Sequence, residues 1–125
     1  MNLNDLTYQI RGAIYTVFKE LGPGLLEHVY EAALMFELHQ MGLNARSQVG
    51  LPVIYKGIKL ELGYRIDIIV ENNIIVEIKS VEFLHNVHKK QLLSYLKLSD
   101  KKLGLLVNFN VSKLVDNESL VRIIN

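Results

Sequence analysis

The chain contains no cysteine, which excludes a disulfide scaffold and a thiolate zinc site and is compatible with a reducing compartment. It carries almost no net charge: 14 Lys and Arg against 13 Asp and Glu leave +1. A protein that binds nucleic acid by bulk charge needs a strong basic excess, so any such surface here must be local. No apolar run approaches the ~18 residues of a membrane span, and Met1-Asn-Leu-Asn-Asp-Leu lacks the basic-then-apolar layout of a signal peptide. These absences lead us to expect a cytoplasmic protein without membrane attachment. Proline is scarce too, only Pro23 and Pro52, and no linker is visible. What is abundant is apolar material, 50% of 125 residues. That suffices for one core and is too little chain for two ordinary domains, so 1–125 reads as a single domain.

Two helices are expected to lead the chain. From Asn4 to Leu21, apolar residues at Leu6, Ile10, Ala13, Ile14, Val17, Phe18 and Leu21 recur at spacings of three and four, one stripe of a helix, with Asn4 or Asp5 as its cap. Gly22-Pro23-Gly24 stops it. A second helix is expected from about Leu25 to Met41, with Val29, Ala32, Ala33, Phe36 and Leu38 in the core and Gly42 as the stop. Glu27 falls in its first turn, where a carboxylate interacts favourably with the helix dipole, and Glu31 lies one turn later on the same face.

The middle of the chain reads as a β meander. Arg46 to Tyr55 is the first strand, Lys56-Gly57 a turn, and Lys59 to Val70 the second strand. Pro52 cannot donate to a ladder and argues for an edge or bulged position. Gly63 marks a bend. Ile74 to Ser80 follows as a third strand after a polar Glu71-Asn72-Asn73 turn, so the pair reads as a hairpin. A helix to about Ser99, a strong β run Leu103-Gly-Leu-Leu-Val-Asn-Phe109 and a last short strand at Leu120 to Ile124 complete the pattern.

Charges inside this apolar hairpin need a reason. Alternation puts Glu77 and Lys79 on one face of the third strand, with Ile74, Val76 and Ile78 on the other. A three-residue loop at 71–73 pairs Val70 with Ile74 and Asp67 with Glu77, gathering all three charges on one face; a two-residue loop would set Asp67 opposite Ile78. Two facing carboxylates buried among Ile side chains repel and resist ionisation unless a cation lies between them. Mg²⁺ takes oxygen ligands, and the Ile78 carbonyl could add one to the carboxylates of Asp67 and Glu77. Lys79 is then placed to orient or activate water and to offset phosphate charge. The alternative is a solvated sheet face. Apolar Ile69 and Ile75 on that same face argue against it.

Asp67 followed by Glu77-x-Lys79 on consecutive strands resembles the core signature of the PD-(D/E)xK nuclease superfamily, with Ile66 where Pro is usual. Gly24-Leu-Leu-Glu27-His-Val-Tyr30 upstream resembles the signature of the small GxxExxY family within it, and Gln91-Leu-Leu-Ser-Tyr95 downstream fits too. The resemblance runs from about Asn4 to Asn110 and takes in Leu51-Pro-Val-Ile-Tyr-Lys-Gly57 and Gly104-Leu-Leu-Val-Asn-Phe109. It implies an α/β (α+β) restriction-endonuclease-like core: two leading helices, a mixed four- to five-stranded sheet and a following helix, in the order ααβββαβ. It further implies a metal-dependent nuclease hydrolysing phosphodiester bonds in DNA. Asp67 and Glu77 would hold Mg²⁺ or Mn²⁺, Glu27 would assist from the leading helix, Lys79 would position or activate water, and Gln91 and Tyr95 would align the substrate.

Several of these residues also have plain structural readings. Gln91 and Tyr95, four apart, could be the polar seam of an amphipathic helix, or a phosphate-binding amide and a hydroxyl or ring that contacts a base. Tyr30, a candidate substrate contact, could be a core aromatic with its hydroxyl at the rim. Lys89, Lys90, Lys97, Lys101 and Lys102 form the most basic segment, either a solvated helix face or phosphate contacts beside the site, with Lys89 and Lys90 the candidates for the latter. His85 and His88 lack a third histidine partner, so no zinc site is inferred. A reading from a different class is a catalytically silent nuclease-fold module acting through nucleic acid, a protein partner or a homodimer, because a chain this minimal carries no separate recognition domain.

Overall fold

The computed structural model describes residues 1–125. The chain begins with α1 (Leu3–Leu21) and α2 (Glu27–Gln40), continues through β1 (Ala45–Tyr55), β2 (Ile58–Val70) and β3 (Ile74–Lys79), crosses over in α3 (Asn86–Ser99), and ends with β4 (Leu103–Asn108) and β5 (Leu120–Ile124). The strands form one mixed sheet in sequence order. Only β3 and β4 run parallel, and the intervening α3 supplies the long crossover that a parallel pair requires. The result is an α+β fold of the restriction-endonuclease-like kind.

Side-chain alternation divides the core between the two sheet faces. Even-numbered Ile74, Val76 and Ile78 of β3 pack with Leu103, Leu105 and Val107 of β4 beneath α1 and α2. Ile75 and Leu106 pack on the opposite face under Leu92, Tyr95 and Leu96 of α3. Helices cover both faces at β3 and β4, which is why those strands are almost continuously apolar and buried.

The leading helices depart from expectation in instructive ways. Asn2, rather than Asn4 or Asp5, caps α1: its side-chain oxygen accepts from the Asp5 N–H at 2.8 Å. Leu21 is exposed at the last turn, whereas Leu6, Ile10, Ala13, Ile14 and Val17 are buried as the stripe predicts. In α2 the buried residues are Tyr30, Leu34 and Leu38, while Val29, Ala32 and Phe36 are exposed. Tyr30 sets this rotation, because its ring stacks flat on Phe109 at 4.4 Å between centroids.

The hairpin takes the three-residue turn: Ile68, Ile69 and Val70 pair with Val76, Ile75 and Ile74. On its other side β2 runs far past the end of β3 and pairs with β1 alone, forming a two-stranded arm that closes at Lys56 and Gly57. Both turn residues have positive φ, 50° and 78°, the backbone of a tight hairpin turn. Pro52 sits on the edge strand, beside a register shift between Pro52 and Ile54. Residues 58–65 of β2 are all exposed.

Candidate active site

The sheet comes apart at Asp67. Pairing between β1 and β2 includes Ser47 with Ile68 and Val49 with Ile66 but skips Gln48 and Asp67, where Gln48 turns left-handed at φ 52°. Pairing between β2 and β3 stops at Ile68 and Val76, one residue short of Asp67 and Glu77. Carboxylates then take over from the ladder. The Asp67 N–H donates to Glu77 Oε2 at 2.7 Å, and the Ile78 N–H donates to Asp67 Oδ2 at 2.8 Å. Each acid thus satisfies a backbone donor of the other's strand, an exchange that fixes both side chains at the point where the strands part.

Burial makes this pair expensive to ionise. Glu77 is 4% exposed, and its carboxyl is pushed up to about 8, first by burial and then by repulsion from Asp67, with the Asp67 N–H and Lys79 acting in the opposite direction. Asp67 is also raised: burial leads, the Ile78 N–H and Lys79 oppose it, and Glu27 adds repulsion. Burial and mutual repulsion therefore make the two acids one dyad that resists full ionisation in the absence of a cation. Lys79 stands close enough to influence both acids yet forms no ion pair with either, since the chain's ion pair is Arg11 with Asp116 at the surface.

Glu27 reaches the same place from the other layer. It is the first residue of α2, and its Oε2 accepts from the Ser80 N–H at 3.1 Å, just past the end of β3. The connection that presents it is bolted down twice. Ser80 Oγ donates to the Leu25 carbonyl at 2.6 Å, while the Tyr30 hydroxyl donates to the Gly22 carbonyl at 2.6 Å and accepts from the Leu25 N–H at 3.1 Å. Gly24 inside that loop has φ 96°, a conformation that side chains resist. Gly24, Glu27 and Tyr30 therefore form one unit that carries an acid to the end of β3. Tyr30 is fully buried with its hydroxyl occupied on both sides, the arrangement of a core aromatic that holds the loop.

A cavity of about 180 Å³ opens here, lined by Glu27, His28, Glu31, Gln48, Asp67 and Ile78. Glu31 accepts from Gln48 Nε2 at 2.7 Å, and its carboxyl is raised, chiefly by burial. His28 and Gln48 were absent from the sequence-derived site. Adjacency to Glu27 was the available sign for His28; nothing in the local sequence marks Gln48, which arrives by tertiary pairing. Ile78 lines the cavity and gives its N–H to Asp67.

α3 closes the opposite side. The Tyr95 ring is buried against Tyr64, 5.3 Å between centroids, and its hydroxyl is raised by burial, then by Glu77 and Asp67. One turn up, Gln91 is half-buried and free of hydrogen bonds to the protein. His88 accepts the His85 N–H on Nδ1 at 3.0 Å, which leaves Nε2 to carry the proton. The basic segment is split by the fold. Lys89 and Lys90 lie in the first two turns of α3, whereas Lys101 and Lys102 lead into Leu103, which pairs with Ile74 at the far end of β3. Lys90 precedes the core residue Leu92 by about 200° of helical rotation and points away from the sheet. Of the five lysines only Lys89 combines partial burial with a place near the site's end of the helix.

A family model described as the PD-(D/E)XK nuclease superfamily matches residues 4–122. The chain belongs to this superfamily. No curated protein and no solved structure matches it. PD-(D/E)XK nucleases typically use divalent metals, and the donor set here suits a hard cation: the carboxylates of Asp67, Glu77 and Glu27 lie at the end of β3, each with one oxygen on a backbone N–H. As arranged, no three acidic or histidine side chains already stand at metal-ligating spacing. No helix of this superfamily member is long and apolar enough to cross a membrane.

Proposed function

We propose that this chain is a single-domain, cytoplasmic, metal-dependent nuclease of the GxxExxY kind that hydrolyses phosphodiester bonds in DNA, using Mg²⁺ or Mn²⁺ held by Asp67 and Glu77 with Glu27 and the Ile78 carbonyl as further donors. The observation that carries this reading is the coupled, buried Asp67–Glu77 pair at the point where the sheet parts. A structural role alone leaves that pair unexplained, because apolar residues would fill the position without the cost of burying acids. A divalent cation bound there supplies Lewis acidity and offsets phosphate charge. The chain's own residues do the rest. Lys79, free of an ion pair, positions or activates water and counters charge on the phosphate. Gln91 and the Tyr95 hydroxyl align the substrate from α3, and Lys89 adds a phosphate contact.

The test is cleavage of single-stranded and duplex DNA, with RNA in parallel, by purified protein with Mg²⁺ or Mn²⁺. Asp67→Ala and Lys79→Ala are expected to fold and to lose metal-dependent cleavage; unchanged cleavage in either variant sinks the assignment. A second reading, a catalytically silent module of the same fold that binds nucleic acid or a protein, draws support from the turning of all three acids onto backbone N–H groups. Metal binding without cleavage of any substrate would favour it.

A further inference from the structure

The β1–β2 arm is the part of the molecule that the proposed chemistry leaves unexplained. A two-stranded ribbon is marginal in water, and three or more strands or a covering layer are needed to stabilise one. On this arm, alternation places Ile58, Leu60, Leu62 and Tyr64 on one face of β2, with Lys59, Glu61 and Arg65 on the other. Ile58 is 66% exposed and Leu62 83%. The edge of β2 opposite β1 has no strand beside it over Ile58–Ile66. An extended, apolar, unpaired edge is a template for another strand.

The sequence of that edge identifies the strand that fits it. Ile58-Lys59-Leu60-Glu61-Leu62 is self-complementary when set antiparallel to itself about Leu60. Ile58 then lies opposite Leu62 of the second copy, Lys59 opposite Glu61, and Leu60 opposite Leu60. Apolar pairs fall on one face and two identical ion pairs on the other, as a two-fold interface demands.

We propose that two copies of this chain associate through the free edge of β2, in antiparallel register about Leu60, to make one four-stranded ribbon from the two arms. The inference stands independently of the nuclease reading and survives its failure.

Because the chain lacks cysteine, a single introduced thiol reports on register. Residues directly opposite in an antiparallel pair have Cα atoms about 4.5–5.5 Å apart, within disulfide reach. Leu60→Cys is therefore expected to form a covalent dimer on mild oxidation, and Ile54→Cys, on the other strand, is not. Sedimentation of the wild type is expected to give twice 14.3 kDa. Lys59→Glu should give a monomer with an unchanged far-ultraviolet spectrum, and Lys59→Glu combined with Glu61→Lys should restore the dimer. A wild type that stays monomeric overturns the proposal. So does a single charge variant that remains dimeric, or a charge-swapped double variant that fails to recover. Arm variants that lose oligonucleotide binding with no change of mass would also overturn it, reassigning the arm to nucleic acid.

Discussion

The two ends of β3 contrast within six residues. At Ile74–Val76 the strand is paired on both sides and apolar on both faces. At Glu77 it keeps β4, loses β2, and carries a buried acid whose side chain replaces a ladder hydrogen bond. The same strand thus supplies rigidity at one end and a costly, charge-demanding arrangement at the other. Local rules of strand formation are obeyed where only packing matters and broken where two acids converge, the pattern expected of a functional site.

The contrast can be broken most severely at the apolar end. Ile75→Ala removes a fully buried side chain and is expected to cost about 2–5 kcal/mol in urea unfolding. A cost below 1 kcal/mol would show that this end is not tightly packed. At the acid end the sign should reverse. Folded Glu77 holds its proton up to about 8 while the unfolded chain releases it near 4.5. The folded state therefore binds more protons across that window, and metal-free stability falls as pH rises through it. Glu77→Gln should flatten this slope and stabilise the metal-free protein at the upper end. Melting temperatures across the window decide it, and a variant as pH-dependent as the wild type would refute the burial argument.

Smaller effects sharpen the same comparison. Tyr30→Phe keeps the stack on Phe109 but strands the Gly22 carbonyl and the Leu25 N–H, for an expected loss of about 1–2 kcal/mol. Cation affinity should fall with it, because the loop that presents Glu27 loosens; an unchanged affinity would show that the loop is held otherwise. The mildest effect is expected at the lysines. Lys89→Ala should lower the salt dependence of oligonucleotide binding by a slope of about 1, and Lys101→Ala, at the far end of the sheet, should leave it unaltered. Equal effects would mean that substrate covers both ends.

Much of this architecture was legible in the sequence because it rests on local periodicity. Two registers of Asp67 remained open in the sequence until the three-residue turn at 71–73 chose between them, whereas Pro52 marked the edge strand and its irregularity. The core face of α2 differs in part from its sequence pattern for a tertiary reason: Leu38 and Ala33 reach the core as expected, but the stack of Tyr30 on Phe109 turns Val29 and Phe36 outward. Gln48 has no local signature in the sequence, because its place in the cavity depends on a left-handed backbone opposite Asp67, which its neighbours do not announce. The five lysines looked like one cluster in sequence and proved to be two, since α3 carries its ends to opposite ends of the sheet.

The central claim is that the Asp67–Glu77 pair is built to receive a divalent cation. Calorimetric titration of Mg²⁺ and Mn²⁺ into wild type, Asp67→Ala and Glu77→Gln, at a pH below the raised value of Glu77 where that carboxyl holds its proton, tests it most directly. The account predicts binding to the wild type with release of a proton, and loss of both in the two variants. Equal binding by all three proteins, or binding to the wild type without proton release, would contradict it.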